Sequence, residues 1–152
     1  MKTISIIGLG YIGMPLAVML ADKNKKIYGY DSDLKVIEDI KKNKIKIKES
    51  DFLQKFNNQK IKRNFIPLNK MIKSDVYIIA VPTPFNEKTL KPVISAVKNS
   101  IIKILNLLEP NNLIIIESTC PVGTTELIEK LIYKKRIDLK KNSINIAYCP
   151  ER

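Results

Sequence analysis

The feature that most restricts the fold is a six-residue turn, Gly8-Leu9-Gly10-Tyr11-Ile12-Gly13, set between a β-branched run and a stretch of helical period. Thr3 to Ile7 reads as a short buried parallel strand that stops at Gly8. From Tyr11 to Asp22, Ile12, Leu16, Met19 and Leu20 recur at helical spacing, and Pro15 falls in the first turns, where its missing N–H costs nothing. Strand, glycine turn and helix in that order form the opening of a β-α-β unit, in which the helix presents free N–H groups at the turn.

The rest of the chain continues the alternation. Lys26 to Tyr30 reads as a second strand, and Ser32 or Asp33 caps a helix through Lys42 that buries Leu34, Ile37 and Ile40. Asn43 to Ser50 is irregular. Asp51 is placed to cap a short helix carrying Phe52, Leu53 and Phe56, and Ile61 to Ile66 is read as a short third strand. Val76 to Val81 is an apolar strand ended by Pro82 and Pro84, and a helix is predicted from Pro92, in its first turn, to about Leu108. Leu113 to Glu117 is the next strand, a turn at Pro121 to Gly123 leads into a helix from Thr124 to about Lys134, and Ile144 to Tyr148 is the last strand. The expectation is one α/β domain over residues 1–152: a doubly wound parallel Rossmann sheet of about six strands, helices on both faces, strand order 3-2-1-4-5-6.

Within that fold each glycine of the turn has a separate task. Gly8 permits the tight turn, Gly10 lets a pyrophosphate approach the backbone, and Gly13 lets the helix sit close to the sheet. Asp31 ends the second strand at the distance where a carboxylate accepts hydrogen bonds from an adenosine ribose. That favours NAD, since a 2′-phosphate would be repelled, although Lys35 nearby leaves NADP open. As a purely structural residue Asp31 would be a helix cap, in competition with Ser32 and Asp33. Thr83 and Thr119 follow the fourth and fifth strands. In an open parallel sheet the crevice lies at those carboxyl ends, so both are expected to line the floor on the nicotinamide side.

Composition narrows the function classes. There is no histidine, and Cys120 and Cys149 are the only cysteines, which excludes a zinc finger and any triad that needs imidazole; no metal site is expected. The formal net charge is +12 from 27 basic residues, but only Arg63, Arg136 and Arg152 are arginines and the lysines are scattered. With no recognition motif beside them they read as solvated surface, so neither nucleic acid nor membrane is an expected partner. No signal peptide precedes the glycine turn, and no apolar run approaches the ~20 residues of a membrane span, which points to the cytoplasm.

Four segments in combination carry a family resemblance: Ile6-Ile7-Gly8-Leu9-Gly10-Tyr11-Ile12-Gly13-Met14-Pro15, Val81-Pro82-Thr83-Pro84-Phe85, Glu117-Ser118-Thr119-Cys120-Pro121-Val122-Gly123 and Ala147-Tyr148-Cys149-Pro150-Glu151-Arg152. Together they resemble the amino-terminal part of the UDP-glucose/GDP-mannose dehydrogenase family, over essentially the whole chain. The Val-Pro-Thr-Pro-Phe turn and the closing Cys-Pro-Glu-Arg resemble the branch acting on UDP-N-acetyl-D-mannosamine more than the UDP-glucose enzymes. The resemblance implies NAD contacts at Tyr11, Ile12, Asp31, Lys35, Thr83 and Thr119, a catalytic role for Glu151, and a nucleotide-sugar contact at Arg152. It further implies oxidation of a sugar alcohol through a cysteine-bound thiohemiacetal and thioester to a uronate, for surface polysaccharide synthesis, in enzymes that are homo-oligomers.

In that family the nucleophilic cysteine sits in a glycine-rich motif further along, in central and carboxy-terminal domains that have no counterpart in these residues. Cys120 and Cys149 match other positions and are expected as small buried apolar residues, and these 152 residues alone are expected to be inactive. One departure is Glu49-Ser50-Asp51-Phe52, where relatives carry a Glu-Pro loop. Three other readings stay open: UDP-glucose 6-dehydrogenase, a β-hydroxyacid dehydrogenase with a similar glycine loop, and a non-catalytic dinucleotide-binding module.

Overall fold

The computed structural model describes residues 2–88 and 91–150. Six parallel strands form its sheet: β1 (Ile4–Ile7), β2 (Ile27–Tyr30), β3 (Phe65–Leu68), β4 (Val76–Ile79), β7 (Leu113–Ile116) and β8 (Asn145–Tyr148). Their order is β3-β2-β1-β4-β7-β8, the doubly wound arrangement expected from the alternation of elements. β1 is central and pairs in register with both neighbours, Ile7 lying opposite Tyr30 on one side and Ile79 on the other.

The two faces of the sheet are covered by different helices. On one, Ile6 and Ile78 pack with α1 (Gly13–Asp22), α2 (Leu34–Lys41), α3 (Ser50–Phe56) and α4 (Gln59–Asn64) through Met14, Ala17, Ile37, Phe56 and Ile61. On the other, Ile7, Tyr77 and Ile79 meet Val97 and Ile101 of α5 (Ser95–Ile104) and Ile128 and Ile132 of α6 (Thr124–Lys135). Successive residues of β1 and β4 thus enter opposite cores, which is why these strands are largely apolar on both faces.

Four local expectations are corrected. Ile61 to Ile66 is not a strand throughout. Asn58 caps α4 by accepting the Lys60 N–H at 2.8 Å, Ile61 is buried, Asn64 donates to the Ala21 carbonyl at 2.9 Å, and β3 begins only at Phe65. The short apolar run suited either period, and burial against α1 favoured the helical turn. Pro92 does not open a helix. It lies in β6 (Lys91–Pro92), paired antiparallel with β5 (Phe85–Asn86) in a small separate hairpin where its fixed φ is tolerated, and α5 starts at Ser95. Asp51 is a first-turn residue of α3, whose cap position is Glu49, and of the three apolar residues there only Phe56 is buried. Leu34 is exposed at the start of α2, whereas Ile37 and Ile40 are buried.

Among the described residues no helix is long and apolar enough to cross a membrane.

Candidate dinucleotide site

The glycine turn is built by three different constraints. Gly8 takes φ +93°, where an L side chain is strained, and its N–H donates to the Tyr30 carbonyl at 2.8 Å. A Cβ there would run into the Ala80 carbonyl, and one at Gly13 would run into the carbonyl of Gly8, so both glycines are demanded by the fold. Gly10 is different: a Cβ built on it meets no protein atom within 4 Å. Packing inside the chain therefore does not demand a glycine here, and the backbone is open on this side. Beyond it α1 starts with no side-chain cap and no acid in its first turn, so the positive end of the helix is left for an anion.

Asp31 leaves β2 beside this turn. One carboxylate oxygen accepts the Leu9 N–H at 2.8 Å, and the other accepts the Asp33 N–H at 2.9 Å. Asp33, not Asp31 or Ser32, caps α2 by accepting the Lys35 N–H at 2.9 Å. Asp31 is thereby freed from the capping role and fixed at the rim of the cleft.

The floor comes from β4 and β7. A cleft of about 520 Å³, within the range usual for small-molecule sites, runs across the carboxyl ends of the strands. Gly8, Gly10, Tyr11 and Ile12 line one wall; Asp31 and Ser32 flank it, and the strand ends from Ala80 to Thr83 and from Glu117 to Thr119 form the floor. Past Gly8 and Asp31 it opens into a second lobe edged by Ser32, Pro82, Asn99 and Lys103. At that end Lys103 Nζ donates to the Tyr30 hydroxyl at 2.8 Å.

The model of the NAD binding domain of the UDP-glucose/GDP-mannose dehydrogenase family matches residues 2–152. The chain belongs to that family. A UDP-N-acetyl-D-mannosamine dehydrogenase of Yersinia pestis is 38% identical over 99% of the chain, and an NDP-N-acetyl-D-galactosaminuronic acid dehydrogenase of Ralstonia nicotianae is 32% identical over the same share. Among solved structures, the UDP-N-acetyl-mannosamine dehydrogenase Cap5O from Staphylococcus aureus superposes with a TM-score of 0.89 at 29% identity, covering 99% of the chain. The chain spans 37% of the length of each of these three proteins. The family match decides against the β-hydroxyacid reading.

For this nucleotide-sugar dehydrogenase domain the cofactor is NAD, and the bare face of Gly10 at an uncapped helix end fits its pyrophosphate. Seven of the nine residues expected to touch the cofactor converge on one cleft. Gly13 acts from behind, by letting α1 approach the turn, and Lys35 is exposed on the first turn of α2, outside the lining. Glu151 and Arg152 lie outside the described residues. The strand before them leaves the sheet beside the floor: the Cys149 N–H donates to the Ile116 carbonyl at 3.0 Å, and the Tyr148 hydroxyl accepts the Cys120 N–H at 3.0 Å.

Burial pushes the Cys120 thiol up, away from thiolate, and Cys149 is exposed rather than buried as expected. Among the described residues no group of three or more His, Cys, Asp or Glu side chains stands together as a metal site would require.

Sequence reading missed Ser118 and Lys103. Both act on partners far away in the chain, Val81 and Tyr30, and nothing in their local sequence announces it.

Proposed function

We propose that this domain is the cofactor half of an enzyme oxidising UDP-N-acetyl-D-mannosamine to the corresponding uronate for surface polysaccharide synthesis in the cytoplasm. The observation that carries the cofactor arrangement is Gly10, open on the cleft side at the start of an uncapped helix. The pyrophosphate rests on the backbone of Gly10, Tyr11 and Ile12, with Gly8 and Gly13 fixing the turn that holds it. Asp31 accepts from the adenosine ribose hydroxyls with the lone pairs left over from Leu9 and Asp33, and Lys35 closes over the rim by a change of rotamer. Thr83 and Thr119 hold the nicotinamide side with their hydroxyls.

NAD, when bound, accepts hydride from the sugar. Glu151 handles the accompanying proton and the hydrolytic water, and Arg152 contacts the nucleotide-sugar. The nucleophilic cysteine and the remaining substrate contacts belong to sequence outside these 152 residues, in an enzyme that works as a homo-oligomer. Higher identity to the mannosamine relative supports that substrate over the galactosamine-configured one, 38% against 32%.

Calorimetric titration of the chain with NAD and NADP tests the cofactor arrangement, with selective NAD binding expected. Incubation with NAD and UDP-N-acetyl-D-mannosamine should yield no NADH. Turnover by these residues alone would overturn the division of labour, and failure to bind either nucleotide would overturn the cofactor assignment.

A further inference from the structure

Strands β4 and β7 stop pairing at Ile79 and Ile116, just where the cleft begins. The break is abrupt. The Glu117 and Ser118 N–H groups both turn to one carbonyl, that of Ile79, at 2.9 and 3.2 Å, so the ladder cannot advance to the next residue. Val81 is left without a backbone partner across the gap, and the Ser118 side chain takes that place. Its hydroxyl accepts the Val81 N–H at 2.9 Å and donates to the Val81 carbonyl at 2.8 Å. Ser118 is buried and the two bonds are part-buried at the cleft edge, so water competes little for them.

A single hydroxyl thus replaces both backbone partners at the point where two strands splay. Two residues beyond Val81 is Thr83, and next to Ser118 is Thr119; both threonines line the cleft floor, with Val81 and Ser118 at its edge. Had the strands stayed paired, the two turns would lie at ladder spacing and the crevice would close. With no tie at all, their separation would drift.

We propose that Ser118 is a positioning residue for the nicotinamide side of the cleft: it sets the spacing of the turns that carry Thr83 and Thr119 through a hydroxyl engaged by Val81 rather than offered to the cofactor. This rests on the cofactor arrangement proposed above. It separates the two ends of the ligand, because the glycine turn and Asp31 on the adenosine side have no bond to Ser118.

The test compares NAD with ADP, which engages only the adenosine and pyrophosphate end. Ser118→Ala is expected to weaken NAD by about tenfold, the size of one or two lost buried hydrogen bonds, while ADP changes by less than about twofold. In the ligand-free protein the Val81 amide should exchange with solvent at least about tenfold faster than in the parent chain, with the Ile6 amide unchanged. Should the alanine variant fail to fold, Ser118→Cys holds the volume, weakens the hydrogen bonds and serves the same comparison. Equal weakening of NAD and ADP, or unaltered Val81 exchange, overturns the assignment. Binding of neither ligand by the parent chain overturns the cofactor arrangement itself.

Discussion

The carboxylate of Asp31 bridges the two ends of the first β-α-β unit, accepting the Leu9 N–H of the glycine turn at 2.8 Å and the Asp33 N–H ahead of α2 at 2.9 Å. An aspartate just past β2 therefore fixes the turn, and in the proposed arrangement it serves the ligand as well. Asp31→Ala is expected to weaken NAD by at least tenfold, because a charged hydrogen-bond acceptor is lost along with the tie that shapes the turn. Asp31→Asn keeps one acceptor oxygen and removes the charge, so its NAD-to-NADP preference should narrow. Calorimetry with both nucleotides checks this, and an unchanged preference in the asparagine variant would count against a role in discrimination.

Gly10 and Gly13 should part company on mutation. Gly10→Ala meets no protein atom within 4 Å and lies outside the left-handed region, so stability should stay within about 0.5 kcal/mol while NAD binding falls at least tenfold. Gly13→Ala overlaps the Gly8 carbonyl and should cost roughly 1–3 kcal/mol as α1 is pushed from the turn. Urea melts beside NAD titrations separate the two, and a Gly10→Ala variant that binds NAD normally would remove the main support for the pyrophosphate position.

Acid should loosen the amino-terminal edge of the sheet through Asp75. The Thr3 N–H and hydroxyl, at 2.6 and 2.8 Å, hold its carboxyl below the usual carboxylate range. A carboxyl with a lowered value in the folded state takes up its proton first in the unfolded chain. Its contribution is therefore fully present above the ordinary carboxylate value and is lost as pH falls through the lowered one. Thermal melts across that acid range should show a steeper fall for the parent chain than for Asp75→Asn, and parallel curves would dismiss the linkage.

Tyr77 offers a control far from the ligand. Its side chain is buried and its hydroxyl accepts the Ser74 N–H at 2.9 Å at the amino end of β4. Tyr77→Phe leaves that N–H without its acceptor and should destabilise the fold by about 1–3 kcal/mol. NAD affinity of the folded protein should not change, because the cleft lies at the opposite end of the strand. A loss of affinity at temperatures where the variant is fully folded would show coupling along β4.

The strand and helix order, the capping of α2 at Ser32 or Asp33 and the tasks of Gly8 and Gly13 were legible in the sequence, because each depends on neighbours a few residues away. The same locality explains the errors. Ile61 to Ile66 carried a pattern short enough to suit a strand or a helical turn, and only burial against α1 decided it. Pro92 had the composition of a helix start, but the partner that claimed it, Phe85, is reached across a hairpin.

By itself the sequence determined a parallel α/β sheet opening on a glycine turn, since hydrophobic period and glycine spacing are written in consecutive residues. The tertiary structure alone decided how the cleft is held: it left Lys35 outside the lining, and joined Ser118 to Val81 and Lys103 to Tyr30. Those relationships depend on the register of parallel strands whose residues are far apart in the chain, and a register becomes fixed only when both faces of the sheet are packed.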